Sequence, residues 1–122
     1  MEIQLNQVGS VAVVKIDSDQ IDASNARDFK DHINPISADN RHIVFDLSAV
    51  RFVDSSGLGA ILSYLRRQHE QGGDLKLAGM TKPVRMLFEL VRMHRIFEIY
   101  NNVEEAVGAF VRPESKAALS AA

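Results

Sequence analysis

The N-terminal residues alternate between apolar and polar side chains, which is the pattern of β-strands. Ile3 and Leu5 are separated by polar residues, and residues 11–16 are rich in β-branched side chains. The Gly-Ser pair at positions 9–10 suits a tight turn between the two stretches. This segment is therefore predicted to form a β-hairpin.

A helical period replaces the alternation over residues 24–34. Three apolar residues fall on one helical face: Ala26, Phe29 and Ile33. Either Ser24 or Asp22 is placed to cap the start of this helix. Pro35 lacks the N–H group that a helix interior requires, so the helix is predicted to end or kink at the residue before it.

A short apolar run and a long helical pattern follow. Residues 43–47 suit a buried strand. From about residue 55 to residue 71, the apolar positions recur every third and fourth residue: Leu58, Ile61, Leu62 and Leu65. Gly72 and Gly73 are expected to stop this second helix.

The next strand and the third helix lie within residues 75–91. Residues 75–78 read as a strand, and Thr81 is placed to cap a helix that tolerates Pro83 in its first turn. The apolar stripe of this helix consists of Val84, Leu87, Phe88 and Val91.

The last elements are a short strand at residues 98–100 and a fourth helix. Asn102 with Glu105 three positions later has the spacing of a capping box. The core face of the helix consists of Val103, Ala106, Val107, Phe110 and Val111. The element order is β-β-α-β-α-β-α-β-α, which predicts an α/β fold with parallel strands and right-handed crossovers. Four helices of modest length need not cover both faces of such a sheet.

The composition is that of one globular domain. The chain has 122 residues, 46% apolar and 25% charged. Residues 1–111 are expected to form the domain and residues 112–122 a flexible C-terminal tail. The absence of cysteine excludes disulfides and thiolate chemistry. The four histidines lack metal-ligand spacing, so neither a metal nor a cofactor is expected.

Charge and hydropathy limit the kinds of partner and the cellular location that the sequence predicts. The net charge of −2 disfavours nucleic acid. No apolar run approaches the roughly 18 residues of a membrane span, and the N-terminus lacks the basic and apolar regions of a signal peptide. These features predict a cytoplasmic protein with protein partners, and a monomer that forms hetero-complexes is the expected state.

The candidate site lies at the start of the second predicted helix. Asp54 is placed to be the N-cap, which puts Ser55 and Ser56 in the first turn, where free N–H groups and the helix dipole favour a phosphate. Gly57 and Gly59 have no side chains to shield these serines from a partner's active site. A plainer interpretation stays open, in which Asp and Ser only cap the helix and the glycines only allow close packing.

The segment 54–62, with the sequence DSSGLGAIL, resembles the signature of STAS-domain anti-sigma factor antagonists. Residues 42–48 resemble the strand that leads into that signature, and residues 72–78 resemble the strand after it. Residues 83–90 resemble the third helix of the family. The resemblance covers roughly residues 3–111 and implies the STAS fold, a small mixed sheet of four or five strands with about four helices.

In that family a serine kinase, itself the anti-sigma factor, phosphorylates the serine directly after the aspartate. The resemblance implies that this position is Ser55. It also implies that the unphosphorylated form binds the kinase, that phosphorylation releases it, and that a serine phosphatase resets the switch. The partner-binding residues implied are Asp22, Asp54, Ser55, Ser56, Gly57, Leu58 and Gly59.

Asp22 enters this set because Ile21-Asp22 resembles a Leu-Asp pair that follows the second strand in the family. The family often has glycine shortly before this pair, whereas residues 17–20 are DSDQ here. The added acidity can alter which kinase docks. Capping of the first helix is the alternative role of Asp22.

Three other functions are alternatives to the phosphorylated switch on a sigma pathway. One is an accessory STAS module that is not phosphorylated, such as a transporter subunit. Another is the same switch acting on a target other than a sigma factor. An enzyme is disfavoured, because a serine hydrolase would need a base and an oxyanion hole that the sequence does not signal.

Overall fold

A five-stranded mixed sheet forms the centre of the protein, as seen in a computed structural model that describes residues 1–111. In chain order, the strands are β1 (Glu2–Val8), β2 (Val11–Asp17), β3 (Gln20–Ile21), β4 (His42–Asp46), β5 (Phe52–Val53), β6 (Asp74–Ala78) and β7 (Glu98–Tyr100). The short strands β3 and β5 lie outside the central sheet and pair with each other. The order across the sheet is β1-β2-β4-β6-β7. β1 pairs antiparallel to β2, and the remaining neighbours are parallel.

Four α-helices connect and flank these strands. They are α1 (Ala26–Asp39), α2 (Ser55–Glu70), α3 (Lys82–Leu90) and α4 (Val103–Val111), and a 3₁₀ turn spans Met93–Arg95. Within residues 1–111, no helix is long and apolar enough to cross a membrane. The predicted α/β class, mixed sheet and four helices are confirmed. The predicted tail, residues 112–122, lies outside the described residues.

The predicted hairpin is confirmed. Ile3 lies opposite Ile16, and Leu5 lies opposite Val14. Gly9 has a φ of +60° in the turn, a conformation that glycine adopts without steric cost.

The main core lies between the sheet and helices α1, α2 and α3. Phe29 of α1, Phe45 of β4 and Tyr64 of α2 meet in edge-to-face contacts, with ring centroids 5.8 to 6.4 Å apart. All three side chains are buried. Such aromatic pairs add about 0.5–1.5 kcal/mol beyond the area that they bury, so they fix the two helices on this face.

Helix α4 packs on the opposite face of the sheet. The buried residues there are Val11, Val13, Val44, Ala78 and Ala106. Asn102 accepts a hydrogen bond from the N–H of Glu105 at 2.8 Å, which confirms it as the cap of this helix. The carboxylate of Glu105 reaches back to the N–H of Asn101, one residue earlier than a capping box predicts. The second face of the sheet is thus covered in part by one helix.

The predicted end of the first helix is wrong. α1 continues through Pro35 to Asp39. Pro35 and Asp31, whose carbonyl loses its hydrogen-bond donor, are both exposed, so water can hydrate that carbonyl. Beyond the proline, Ser37 is fully buried and donates a hydrogen bond to Gln68 of α2. This tertiary contact holds the last turn of α1 in helical form.

The predicted cap of α1 is wrong, and the predicted cap of α3 is confirmed in its position but not in its hydrogen bond. Asn25 holds the N-cap position of α1 and makes no side-chain cap. Thr81 holds the cap position of α3, but its hydroxyl donates to the backbone carbonyl of Val50 at 2.7 Å. Threonine therefore ties α3 to the loop after β4, and a local capping preference gives way to a tertiary hydrogen bond.

Candidate functional site

Ser55 is the first residue of α2, and both it and Ser56 are exposed. Asp54 precedes them in extended conformation, with φ −100° and ψ −173°. One oxygen of its carboxylate, Oδ1, accepts a hydrogen bond from the N–H of Gly57 at 2.9 Å. The predicted N-cap is confirmed, and the serines lie at the exposed, electropositive end of the helix.

The second oxygen of Asp54 reaches a different part of the chain. Oδ2 accepts a hydrogen bond from the N–H of Ala23 at 3.0 Å. The hydrogen bond from Gly57 lowers the pKa of Asp54 most; partial burial opposes this, and the bond from Ala23 adds to the lowering. An ionised Asp54 therefore joins the loop before α1 to the first turn of α2.

The short strands β3 and β5 place this end of α2. Ile21 pairs with Val53, and the N–H of Asp54 donates to the Ile21 carbonyl at 3.4 Å. A Cβ on Gly57 would lie 2.1 Å from that same carbonyl oxygen. Gly57 is buried and allows α2 to approach β3 closely, so its role is packing, as in the plainer interpretation of the sequence.

Gly59 differs from Gly57 in its surroundings. It is exposed, and a Cβ built on it would meet nothing within 4 Å. Leu58 lies between the two glycines and packs, half-buried, against the main core. Of the three residues that follow the serines, Gly59 alone presents open surface to a partner.

Asp22 shapes the loop before α1. Its Oδ1 accepts hydrogen bonds from the N–H of Ser24 at 3.0 Å and from the Ser24 hydroxyl at 2.5 Å. Its N–H donates to the side chain of Asn25. One oxygen of the Asp22 carboxylate is therefore held within its own loop, and this loop places Ala23 for the hydrogen bond to Asp54.

A groove of about 580 Å³ lies between α1 and the start of α2. It is lined by Ala23, Ala26, Arg27, Lys30, Ser55, Ser56, Gly59 and Ala60. Arg27 and Lys30 are three residues apart on α1 and add positive charge beside the serines. Neither residue was predicted as part of the site, although their i, i+3 spacing on the polar face of a predicted helix was a usable signal.

The profile of the STAS domain family matches residues 2–106. Because this match covers most of the chain, the chain belongs to the STAS domain family, and the resemblance drawn from the sequence is confirmed.

Two relatives carry the name of anti-sigma factor antagonists. The anti-sigma F factor antagonist of Paenibacillus polymyxa is 35% identical over 66 residues, which are 54% of this chain and 56% of that protein. The anti-sigma-B factor antagonist of Bacillus subtilis is 26% identical over 88 residues, which are 72% of this chain and 81% of that protein. The matched segment thus spans little more than half of the Paenibacillus relative.

Solved structures share the fold. The anti-sigma factor antagonist SpoIIAA in its unphosphorylated form has a TM-score of 0.73 and 22% identity, covering 92% of this chain and 97% of that one. The phosphorylated form of SpoIIAA from Bacillus has a TM-score of 0.68 and 20% identity, covering 89% and 99%. At these identities the likeness concerns the fold alone.

Proposed function

We propose that this protein is an anti-sigma factor antagonist, and that phosphorylation of Ser55 controls its binding to a serine kinase that is also the anti-sigma factor. The observation that carries the proposal is the exposed Ser55 hydroxyl at the first residue of α2, directly after the capping Asp54. The names of the two relatives support the same class of function. A serine phosphatase completes the cycle by restoring the hydroxyl.

The physical mechanism needs no change of fold. A phosphate on Ser55 adds about −1.5 to −2 charges, and the N-terminus of α2 accommodates them because its N–H groups and dipole favour an anion. The docked complex is affected differently. Burying the dianion against a partner costs several kcal/mol unless a cation meets it, and every 1.4 kcal/mol weakens binding tenfold.

The binding face consists of the exposed residues at this end of α2 and the loop beside it. Ser55, Ser56 and Gly59 contribute surface, whereas Asp22, Asp54 and Gly57 hold that surface in place. Leu58 anchors the first turn of α2 to the core. We place the protein in the cytoplasm, as a monomer that forms hetero-complexes and has no catalytic role of its own.

The test is incubation with its cognate serine kinase and ATP, followed by mass spectrometric mapping of the phosphate. We expect one phosphate, on Ser55, and at least 100-fold weaker binding of the phosphorylated form to the kinase. The matched controls are Ser55→Ala, which stays unmodified, and Ser56→Ala, which is modified as the wild type is.

Two outcomes would count against the proposal. One is phosphate placed elsewhere or not at all. The other is wild-type affinity for both Ser55→Asp and Ser55→Ala, a result that favours an accessory STAS module without a switch.

A further inference from the structure

Apolar side chains are exposed along α3 and the turn that follows it. Met86 and Leu90 are one helical turn apart on the same face and are 60% and 80% exposed. Ile96, just after the 3₁₀ turn, is 52% exposed. Phe52 of β5 is 55% exposed, and β5 contacts α3. We call these four residues, with the cations Lys82, Arg92 and Arg95, the α3 patch.

The fold does not require this outer face to be apolar. Val84 and Phe88 anchor α3 from its inner face, and the Phe88 ring meets the Phe97 ring edge-on at 5.9 Å. Polar residues at positions 86 and 90 would leave those contacts intact. A cluster of large exposed apolar side chains on a small domain marks an interaction site.

The same segment is strongly basic. Residues 82–96 contain four Lys or Arg residues and one Glu, a net charge of about +3 in a chain of net charge −2. Arg85 lies 3.6 Å from the carboxylate of Glu89. Within residues 1–111, neither Lys82, Arg92 nor Arg95 has a carboxylate within ion-pair distance. Three cations are therefore available to an outside partner.

Arg92 is held in an unfavourable backbone conformation. Its φ is +61° and its ψ is +24°, the left-handed region, directly after the end of α3. Within residues 1–111, it is the one residue other than glycine with positive φ. Glycine is the usual residue at such a position because a Cβ is strained there. An arginine thus stands where backbone energetics favour glycine.

We infer that the α3 patch docks an acidic protein surface, one whose carboxylates surround an apolar centre. The exposed apolar residues supply contact area, and Lys82, Arg92 and Arg95 supply charge complementarity. An anionic membrane or nucleic acid fits less well, because the rest of the chain carries a net charge of about −5 and is repelled by a large anionic surface. The inference goes beyond the proposed switch, since docking here does not depend on the Ser55 hydroxyl.

The test uses a defined probe, a 20-residue amphipathic helical peptide of Leu and Glu, and a matched peptide in which Gln replaces Glu. Fluorescence anisotropy at low salt gives each dissociation constant, and amide chemical shifts locate the bound peptide. We expect the acidic peptide to bind, to shift amides of residues 82–96, and to bind at least fivefold more weakly to Leu90→Ser and to Arg92→Gly.

Matched variants separate docking from folding and from the switch. Arg92→Gly relieves the strained backbone, so its lost affinity cannot come from unfolding, and Arg92→Lys should retain most of the affinity. Leu5→Ser, at an exposed apolar residue of β1, should bind as the wild type does, and so should Ser55→Ala. A peptide that fails to bind, that binds all variants equally, or that binds no better than its Gln counterpart would overturn the inference. Stronger binding to phosphatidylglycerol vesicles than to the acidic peptide would also overturn it.

Discussion

Lys76 is a charged residue in the interior of the sheet, on the face that α4 covers. Its side chain is 7% exposed, and its ammonium group donates to Asp74 at 3.1 Å and to Glu98. The Phe110 ring lies 4.5 Å from the same nitrogen. Burial lowers the pKa of Lys76, but the hydrogen bonds to the two carboxylates outweigh this and raise it. The lysine therefore stays charged at all physiological pH values.

The free energy of unfolding should depend on pH through the ionisation of the Asp74 carboxylate. Burial raises its pKa, but hydrogen bonds from His69 and Lys76 outweigh this and leave the pKa below 3.8. Because the unfolded chain binds the proton more readily, the contribution of Asp74 to stability is present above about pH 4 and is lost as the pH falls through the folded-state pKa. Urea unfolding between pH 2 and pH 7 measures this loss.

Asp74→Asn should remove that part of the pH dependence and should cost about 1–2 kcal/mol at pH 7, as expected for a charge-assisted hydrogen bond. Asp17→Asn is the matched control, because Asp17 is exposed at the end of β2 and makes no ion pair within residues 1–111. Equal pH profiles for wild type and Asp74→Asn would contradict the assigned role.

At the scale of elements, substitution of two glycines in the first turns of α2 by alanine should have opposite effects on stability. Gly57→Ala places a Cβ 2.1 Å from a backbone oxygen of β3, which cannot move away as a side chain could. We expect a loss of about 2–3 kcal/mol in the free energy of unfolding, the cost of overpacking. Gly59→Ala meets open space, and the better helix former should add up to about 1 kcal/mol.

Urea denaturation of both variants checks the pair, and each serves as the control for the other because the substitution is the same. Destabilisation of equal size at both positions would contradict this explanation, because it would show that packing against β3 does not set the cost of an alanine in this turn. Phosphorylation of Ser55 in Gly59→Ala then reports whether a methyl group on the groove hinders the kinase.

The elements with their own periodicity could be predicted from the sequence, and those that depend on distant contacts could not. α2 and β4 fall within one or two residues of their expected bounds, because the apolar residues of α2 repeat regularly and those of β4 form a continuous run. β3 and β5 are two residues each, too short for any pattern, and they form because they pair with each other. The last turn of α1 depends on Ser37 and Gln68, which lie 31 residues apart.

The candidate site divides in the same way. The capping Asp54 and the exposed Ser55 follow from local rules for helix starts, so the sequence predicted both. The hydrogen bond from Ala23 to Asp54 and the packing of Gly57 against Ile21 join distant parts of the chain. Arg27 and Lys30 border the groove only because α1 packs beside α2.

At the scale of the whole molecule, the surfaces proposed to bind partners lie on one side of the sheet, and α4 packs on the other side. α1, α2 and α3 cover one face, and the groove and the α3 patch lie among them. α4 covers the other face, where Phe110 stacks on His42 at 4.8 Å and lies over Lys76. Contacts under α4 should therefore affect unfolding without affecting the surfaces that bind.

Phe110→Ala tests this separation. The variant loses the stacking on His42 and the contact with the Lys76 ammonium, and because Phe110 is only half-buried we expect a loss of about 2 kcal/mol in the free energy of unfolding. The prediction that Val111 lies on the core face of α4 is wrong, because this residue is 67% exposed. Val111→Ala is therefore the control and should change stability by less than about 0.5 kcal/mol.

Under conditions where Phe110→Ala remains folded, its rate of Ser55 phosphorylation and its affinity for the acidic peptide should equal those of the wild type. Substitutions more than about 7–10 Å apart with no shared contacts act independently, and the sheet stands between α4 and both surfaces. A slower phosphorylation of the folded variant would mean that the sheet transmits the state of α4 to the start of α2, and that the two faces form one coupled unit.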